Sequence, residues 1–144
     1  MARLFSALAL VLSLVATSPA LAQTPGSGMF ASYEQMRATL DQLMSTRQIT
    51  QLLTMFGGAD EISQADMAQI EGQVRALFPR DFTGNAVMLR QPMGGGFQQE
   101  LIAYWEGGTN YIYARLLFHT RPEGGVVALN MTFNSDPDVL IPLF

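Results

Sequence analysis

The sequence predicts an α+β fold: two or three N-terminal helices packed on one face of a curved antiparallel meander of about four strands. Between residues 32 and 78, apolar side chains recur at helical spacing. From Gly84 onward, β-branched and aromatic runs are separated by glycine-rich turns, the pattern of antiparallel hairpins. Because all the helical patterns come before the strand patterns and the two do not alternate, the sequence favours an α+β fold over an α/β fold.

Residues 1–22 have the three zones of a secretory signal peptide. Arg3 supplies a positive end, residues 4–16 form an apolar run, and small side chains at Ala20 and Ala22 suit a signal peptidase. The run is shorter than the roughly 20 apolar residues of a membrane-spanning helix. We therefore expect cleavage near Ala22, a periplasmic or secreted protein, and no stable membrane anchor after cleavage.

The exported part is predicted to comprise a flexible tether, residues 23–29, and a single domain, residues 30–144. The chain has no cysteine, so the domain must be stable outside the cytoplasm without disulfides. All eight basic residues are arginines, and the loss of Arg3 leaves seven against twelve acids, a net charge of −5. This charge argues against nucleic-acid binding and against a polybasic membrane contact. No cofactor is predicted, and the scattered methionines favour core packing over a metal site.

The first helical stretch begins at Ser32, which can cap a helix. Its apolar pattern is interrupted at Ser45 and Thr46, so either one helix runs to Phe56 or two short helices meet near Thr46. A further helix follows the capping pattern of residues 63–66 and ends before Pro79. Four strands are then predicted, at residues 85–91, 97–106, 110–121 and 126–134.

The strand register can be derived from the turns. If Gly107 and Gly108 form a two-residue turn, Glu100 faces Arg115; if residues 122–125 form the next turn, Arg115 faces Thr132. One face then receives the helices and carries Leu101, Ala103, Trp105, Ile112, Ala114, Leu116, Phe118, Val127, Leu129, Met131 and Phe133. The opposite face is mixed polar and aromatic, as in a half-solvated sheet.

Residues 111–118 (YIYARLLF), the Gly-Gly turn and residues 127–134 (VALNMTFN) resemble the nuclear-transport-factor-2-like superfamily, and within it small secreted bacterial domains of unknown role. The cystatin-like arrangement, with one helix against a meander, is a close alternative. The resemblance implies a cone-shaped sheet with room for a pocket, and it implies no particular reaction.

Five residues are candidates for ligand binding. Glu100 and Arg115, with Tyr113 and Thr132 beside them, form the most specific group, in which Arg115 could hold an anionic ligand on the sheet. The competing interpretation is an ordinary cross-strand ion pair. His119 is the lone histidine, and Glu100 lies about 13 Å further along the strand at ~3.3 Å per residue, too far to orient it.

No catalytic constellation is visible, so the leading hypothesis is a non-enzymatic domain that binds a small molecule or an envelope protein. The alternatives are an isomerase or hydrolase with a pocket between sheet and helices, and a structural module that forms a homodimer through the open sheet face near Tyr104, Tyr111 and Tyr113. The apolar tail, residues 139–144, is expected to pack on the domain's own core or on a partner.

Overall fold

The computed structural model describes residues 27–144. The predicted signal peptide and residues 23–26 of the predicted tether lie outside the described residues. No helix in the described part of the chain is long and apolar enough to cross a membrane.

The predicted α+β class with an antiparallel sheet is confirmed. The elements in chain order are β1 (Met29–Phe30), α1 (Tyr33–Ser45), α2 (Ile49–Met55), α3 (Gln64–Leu77), β2 (Gly84–Gly94), β3 (Phe97–Trp105), β4 (Tyr111–Thr120) and β5 (Val126–Asn134). Short 3₁₀ turns cover Gly58–Asp60, Pro137–Val139 and Ile141–Leu143. The strands form one open sheet in the order β1-β5-β4-β3-β2. The sheet therefore has five described strands where about four were predicted. In chain order, helical segments both precede and follow the meander.

The interruption at Ser45 and Thr46 separates two helices. Arg47 adopts a left-handed backbone conformation with φ of 55°, which ends α1. Its guanidinium donates to the backbone oxygen of Phe78 at 2.9 Å and pairs with Asp81. The break between α1 and α2 is thus tied to the segment that follows α3.

Side-chain caps and a partly exposed carboxylate fix the helices. Ser32 accepts a hydrogen bond from the Gln35 amide at 3.1 Å, as its predicted capping role requires. Glu71 on α3 accepts from the Thr50 amide at 2.9 Å and from Arg75 Nε at 3.0 Å. This contact joins the first turn of α2 to the middle of α3.

One face of the sheet, here called the inner face, packs on the helices. Its buried side chains include Ile102, Tyr104, Ile112, Ala114, Leu116, Phe118, Val126 and Ala128. They meet Met36, Leu40, Leu43, Met44, Ile49, Leu52, Leu53, Met67 and Val74 from the helices. The other face of the sheet is called the outer face.

The predicted pairing of β3 with β4 is wrong by one residue. Glu100 lies opposite Leu116, and Arg115 lies opposite Leu101. The connection holds five residues, 106–110, because Glu106 is buried and accepts hydrogen bonds from Arg80 at 3.2 Å and from Asn110 at 3.4 Å. A one-residue change moves every side chain of a strand to the opposite face.

The slip reverses the predicted faces of β3. Glu100, Ile102 and Tyr104 point toward the helices, whereas Leu101, Ala103 and Trp105 lie on the outer face. The helix-facing surface was predicted to be almost wholly apolar, but it carries the Glu100 carboxylate and the Tyr104 hydroxyl. Tyr104, which was expected on the open face, is buried against the helices.

The predicted pairing of β4 with β5 is largely confirmed. Arg115 lies opposite Thr132, and Leu116 lies opposite Met131. A bulge then shifts the register so that Phe118 pairs with Ala128. Leu129 and Val127 were expected to face the helices, but Leu129 is 49% exposed and Val127 pairs with His119.

The C-terminal tail folds back onto the sheet. Leu140 has no exposed surface, and the Phe144 ring lies 5.8 Å from the Arg115 guanidinium carbon. Because Arg115 is on the outer face, the tail covers that face. Of the two predicted environments for the tail, packing on its own domain is the one observed.

Candidate functional site

Arg115 on β4 is held by amide side chains on the outer face. Its Nε and Nη2 donate to the Gln99 side-chain oxygen at 3.1 and 2.6 Å, and its Nη1 donates to Asn130 Oδ1 at 3.3 Å. Gln99 is only 2% exposed and donates in turn to the Gln91 side-chain oxygen. The guanidinium is therefore fixed by uncharged groups on both neighbouring strands.

Arg115 is the only one of the seven described arginines without a carboxylate at ion-pair distance. The other six are each paired: Arg37 with Asp41 and Glu100, Arg47 with Asp81, Arg75 with Glu71, Arg80 with Glu106, Arg90 with Glu100, and Arg121 with Glu123. A guanidinium has five N–H donors in a planar fork. On Arg115, one N–H of Nη1 and one of Nη2 make no hydrogen bond to the described residues. Each terminal nitrogen of the guanidinium therefore keeps one N–H for the oxygens of an anion.

Two other predicted site residues share this face with Arg115. Thr132 lies opposite Arg115 and donates to Asn130 Oδ1 at 3.4 Å. Tyr113 precedes Arg115 by two residues, and its ring lies parallel to the ring of Tyr111, with centroids 6.3 Å apart. The structure therefore brings Arg115, Tyr113 and Thr132 to one surface, which we call the Arg115 site together with Gln99 and Asn130.

A groove begins beside the tyrosines of this face. It has a volume of about 340 Å³. Its lining residues are uncharged: Leu77, Phe78, Thr109, Asn110, Tyr111, Tyr113 and Ser135. The groove therefore offers apolar and hydroxyl surface beside Tyr113, two residues from Arg115 on β4.

Glu100, in contrast, lies in a polar network on the inner face. Its side chain has no exposed surface. It accepts hydrogen bonds from the Tyr33 hydroxyl at 2.9 Å, Arg90 Nε at 2.7 Å and Arg37 Nη1 at 3.2 Å, and also from Gln98. Both oxygens of the carboxylate are engaged, so none is directed at a ligand.

The same network continues along α1. Arg37 pairs with Asp41 at 3.0 Å, and the Tyr104 hydroxyl donates to Asp41 Oδ1 at 2.6 Å. Two arginines and two carboxylates thus balance in charge across α1, β2 and β3. A groove of about 260 Å³ opens at its edge, lined by Tyr33, Arg90, Gln98, Phe118 and Thr120.

The environment of the network keeps its tyrosines protonated. Burial, reinforced by the Glu100 carboxylate, raises the pKa of Tyr33. Burial and the adjacent Asp41 carboxylate raise the pKa of Tyr104 far above its ordinary value. Burial acts to lower the pKa of Arg37, but Asp41 together with Tyr104 and Tyr33 outweighs it, and the pKa is raised. These groups keep one protonation state near neutral pH, and the network serves to hold α1 on the sheet.

His119 lies away from the Arg115 site. Its ring stacks on Phe97 with centroids 4.2 Å apart and planes 5° apart, and its Nε2 is 3.1 Å from the Gly95 backbone oxygen. Four residues along a strand separate it from Arg115, about 13 Å at ~3.3 Å per residue. Its contacts fasten the β2–β3 hairpin to the end of β4.

Several residues of these clusters were not predicted from the sequence. Tyr33, Arg37 and Asp41 recur every four residues on α1, a polar stripe that was a usable signal beside the apolar one. Gln99 and Phe144 had no comparable signal, because their proximity to Arg115 depends on strand register and on the path of the tail.

Among residues 27–144, no group of three or more His, Asp or Glu side chains is arranged to hold a metal ion. Comparison of the chain with protein-family models, with curated proteins and with solved structures finds no significant match to any of them. The resemblance to the nuclear-transport-factor-2-like superfamily therefore stays a prediction.

Proposed function

We propose that the chain is an exported, non-enzymatic domain that binds a small anionic ligand at the Arg115 site. The observation that carries this proposal is the uncompensated charge of Arg115, held in place by Gln99 and Asn130 with two donors left over. A planar guanidinium is the side chain best matched to a carboxylate or phosphate. Binding would supply the counter-charge that the other described arginines already have.

The chemistry around Arg115 favours binding over catalysis. Its neighbours Gln99, Asn130 and Thr132 carry amides and a hydroxyl, which orient a ligand but do not exchange protons near neutral pH. General acid–base catalysis needs a titratable group within hydrogen-bond reach of the reacting atom. Glu100 is on the opposite face with both oxygens occupied, and His119 is stacked on Phe97.

Export and superfamily membership are the sequence-based parts of the proposal. Export is supported by the three zones of residues 1–22. Intact mass of the protein recovered from the periplasm should correspond to a chain beginning at Gln23. Superfamily membership is supported by helical segments placed before a long meander. A homodimer through the outer face stays a separate prediction, which light scattering tests.

Calorimetric titration tests the binding proposal. Benzoate carries a carboxylate, and benzamide is its uncharged counterpart. We expect benzoate to bind, benzamide to bind far more weakly, and Arg115→Gln to lower benzoate affinity at least about tenfold, as loss of a charge-assisted contact implies. Arg121→Gln removes the same charge from a surface ion pair and should leave affinity unchanged. Equal benzoate affinity in Arg115→Gln and the native protein would overturn the proposal.

A further inference from the structure

The C-terminal segment, residues 136–144, lies on the sheet through side-chain packing and does not pair with any described strand. Its hydrogen bonds are local, for example from Leu140 N to Pro137 O at 2.9 Å and from Phe144 N to Ile141 O at 3.2 Å. The structure gives it no hydrogen bond to the strands beyond Asn134 at the end of β5. It is held on the outer face by the burial of Leu140 and by the contact of Phe144 with Arg115.

The tail occupies the apolar surface beside the charged group. Leu101 and Ala103, which lie on the outer face next to Arg115 in the sheet, are buried. The Phe144 ring lies over the guanidinium at 5.8 Å, within the range of a cation–π contact. The two unused donors of Arg115 are in the plane of the guanidinium, and neither makes a hydrogen bond to Phe144. A small anion needs only the two unused N–H donors of Arg115. An anion that carries an apolar group also needs the space that the Phe144 ring occupies.

We propose that residues 136–144 form a displaceable lid on the Arg115 site, and that the ligand is a carboxylate carrying an apolar ring that replaces Phe144. This inference rests on the proposed function, since it names the ligand class and the regulation of the same site. The ring of the ligand recovers the cation–π contact that the tail gives up, and its carboxylate takes the two unused donors. Ligands without a ring bind beneath the closed lid.

Affinities of acetate and benzoate, measured by NMR titration of the full exported chain, separate these roles. Phe144→Ala should strengthen benzoate binding about three- to fivefold, the fold-change equivalent to one partly exposed cation–π contact, and leave acetate binding unchanged. Leu143→Ala changes an exposed side chain of the same tail and should alter neither affinity. Saturating benzoate should also increase deuterium exchange of the tail amides, and acetate should not.

The outcomes distinguish the lid from the binding site itself. If benzoate affinity is unchanged or weaker in Phe144→Ala while both anions still require Arg115, the lid is overturned and the proposed function stands, with Phe144 as a fixed wall of the site. If neither anion shows binding that depends on Arg115 in any variant, the proposed function is overturned together with the lid.

Discussion

Arg115 and Gln99 are joined by two hydrogen bonds to one oxygen, from Nε at 3.1 Å and from Nη2 at 2.6 Å. Gln99 is buried, so this contact fixes the guanidinium on the outer face. Because an amide has no net charge, it orients the arginine without neutralising it. The pair therefore explains how one cation can be both rigidly placed and available to an anion.

Replacing Gln99 by glutamate should weaken ligand binding without unfolding the domain. The substitution keeps the shape of the side chain and gives Arg115 an internal counter-ion, so an external carboxylate loses its electrostatic advantage. Titration with benzoate should show at least about a tenfold loss of affinity, the equivalent of roughly 1.4 kcal/mol. Gln51→Glu adds the same charge at an exposed position of α2 and should bind benzoate normally. Retained affinity in Gln99→Glu would argue that Arg115 does not contact the ligand.

Replacing Glu100 by glutamine should destabilise the fold strongly. The change removes the carboxylate that Arg37 and Arg90 share, and breaking a buried ion pair from one side costs about 3–5 kcal/mol. Because Arg37 keeps Asp41 and Arg90 is half exposed, we expect a loss at the lower end of that range. Urea unfolding measures the loss of stability in Glu100→Gln. The control is Glu34→Gln, which changes an exposed residue in the first turn of α1. If Glu100→Gln loses less unfolding free energy than Glu34→Gln, the network does not hold α1 to the sheet.

The contact of Glu71 with α2 predicts a pH-dependent contribution to stability. Burial acts to raise the pKa of Glu71, but hydrogen bonds from the Thr50 amide and Arg75 outweigh it and lower the pKa. A carboxyl group with a lowered pKa stabilises the fold above its unfolded pKa of about 4.3, and this contribution is lost as pH falls through the folded value. Hydrogen bonds to charged groups contribute about 1.5–3 kcal/mol, and the partial exposure of Glu71 reduces this, so Glu71→Gln should cost about 1–2 kcal/mol at pH 7.

Chemical denaturation of both proteins at several pH values measures this effect. The difference in unfolding free energy should be constant between pH 6 and 7 and should narrow below about pH 4. A difference that is the same at pH 3 and pH 7 would mean that the ionised carboxylate contributes nothing.

Leu140 should hold the tail on the outer face. Leu140→Ala removes its buried side chain, and the loss of that burial should reduce stability by about 1.5–3 kcal/mol and raise deuterium exchange in residues 136–144. Leu143→Ala, half exposed in the same tail, should change stability by less than about 0.5 kcal/mol. Equal effects of the two substitutions would contradict the packing of the tail described above.

The helices and strand positions could be predicted from the sequence because local signals specify them. Ser32 caps α1, the break near Thr46 separates α1 from α2, and Pro79 follows the end of α3. The relation of Arg115 to Thr132 was also predicted correctly, although the loop between β4 and β5 holds five residues, 121–125, where four were assumed. The bulge between Leu117 and Phe118 offsets the extra residue and restores the predicted pairing.

The candidate site could be predicted only in part, because one loop length determines which face each β3 residue occupies. Gly107 and Gly108 suggested a two-residue turn, but the buried Glu106 holds Asn110 and lengthens the loop to five residues. That change separates Glu100 from Arg115 and brings Gln99 to it instead. Phe144 reaches the site through tail packing, which no local pattern specifies.

The central claim is that an anionic ligand binds on the outer face at Arg115. Its most direct test is a crystal structure with 4-iodobenzoate, in which anomalous scattering locates the iodine. We expect the anomalous peak on the outer face beside Arg115, with the carboxylate on its two unused donors and Phe144 displaced. A peak only in the helix-side groove lined by Tyr33 and Arg90, with no density at Arg115, would contradict the account.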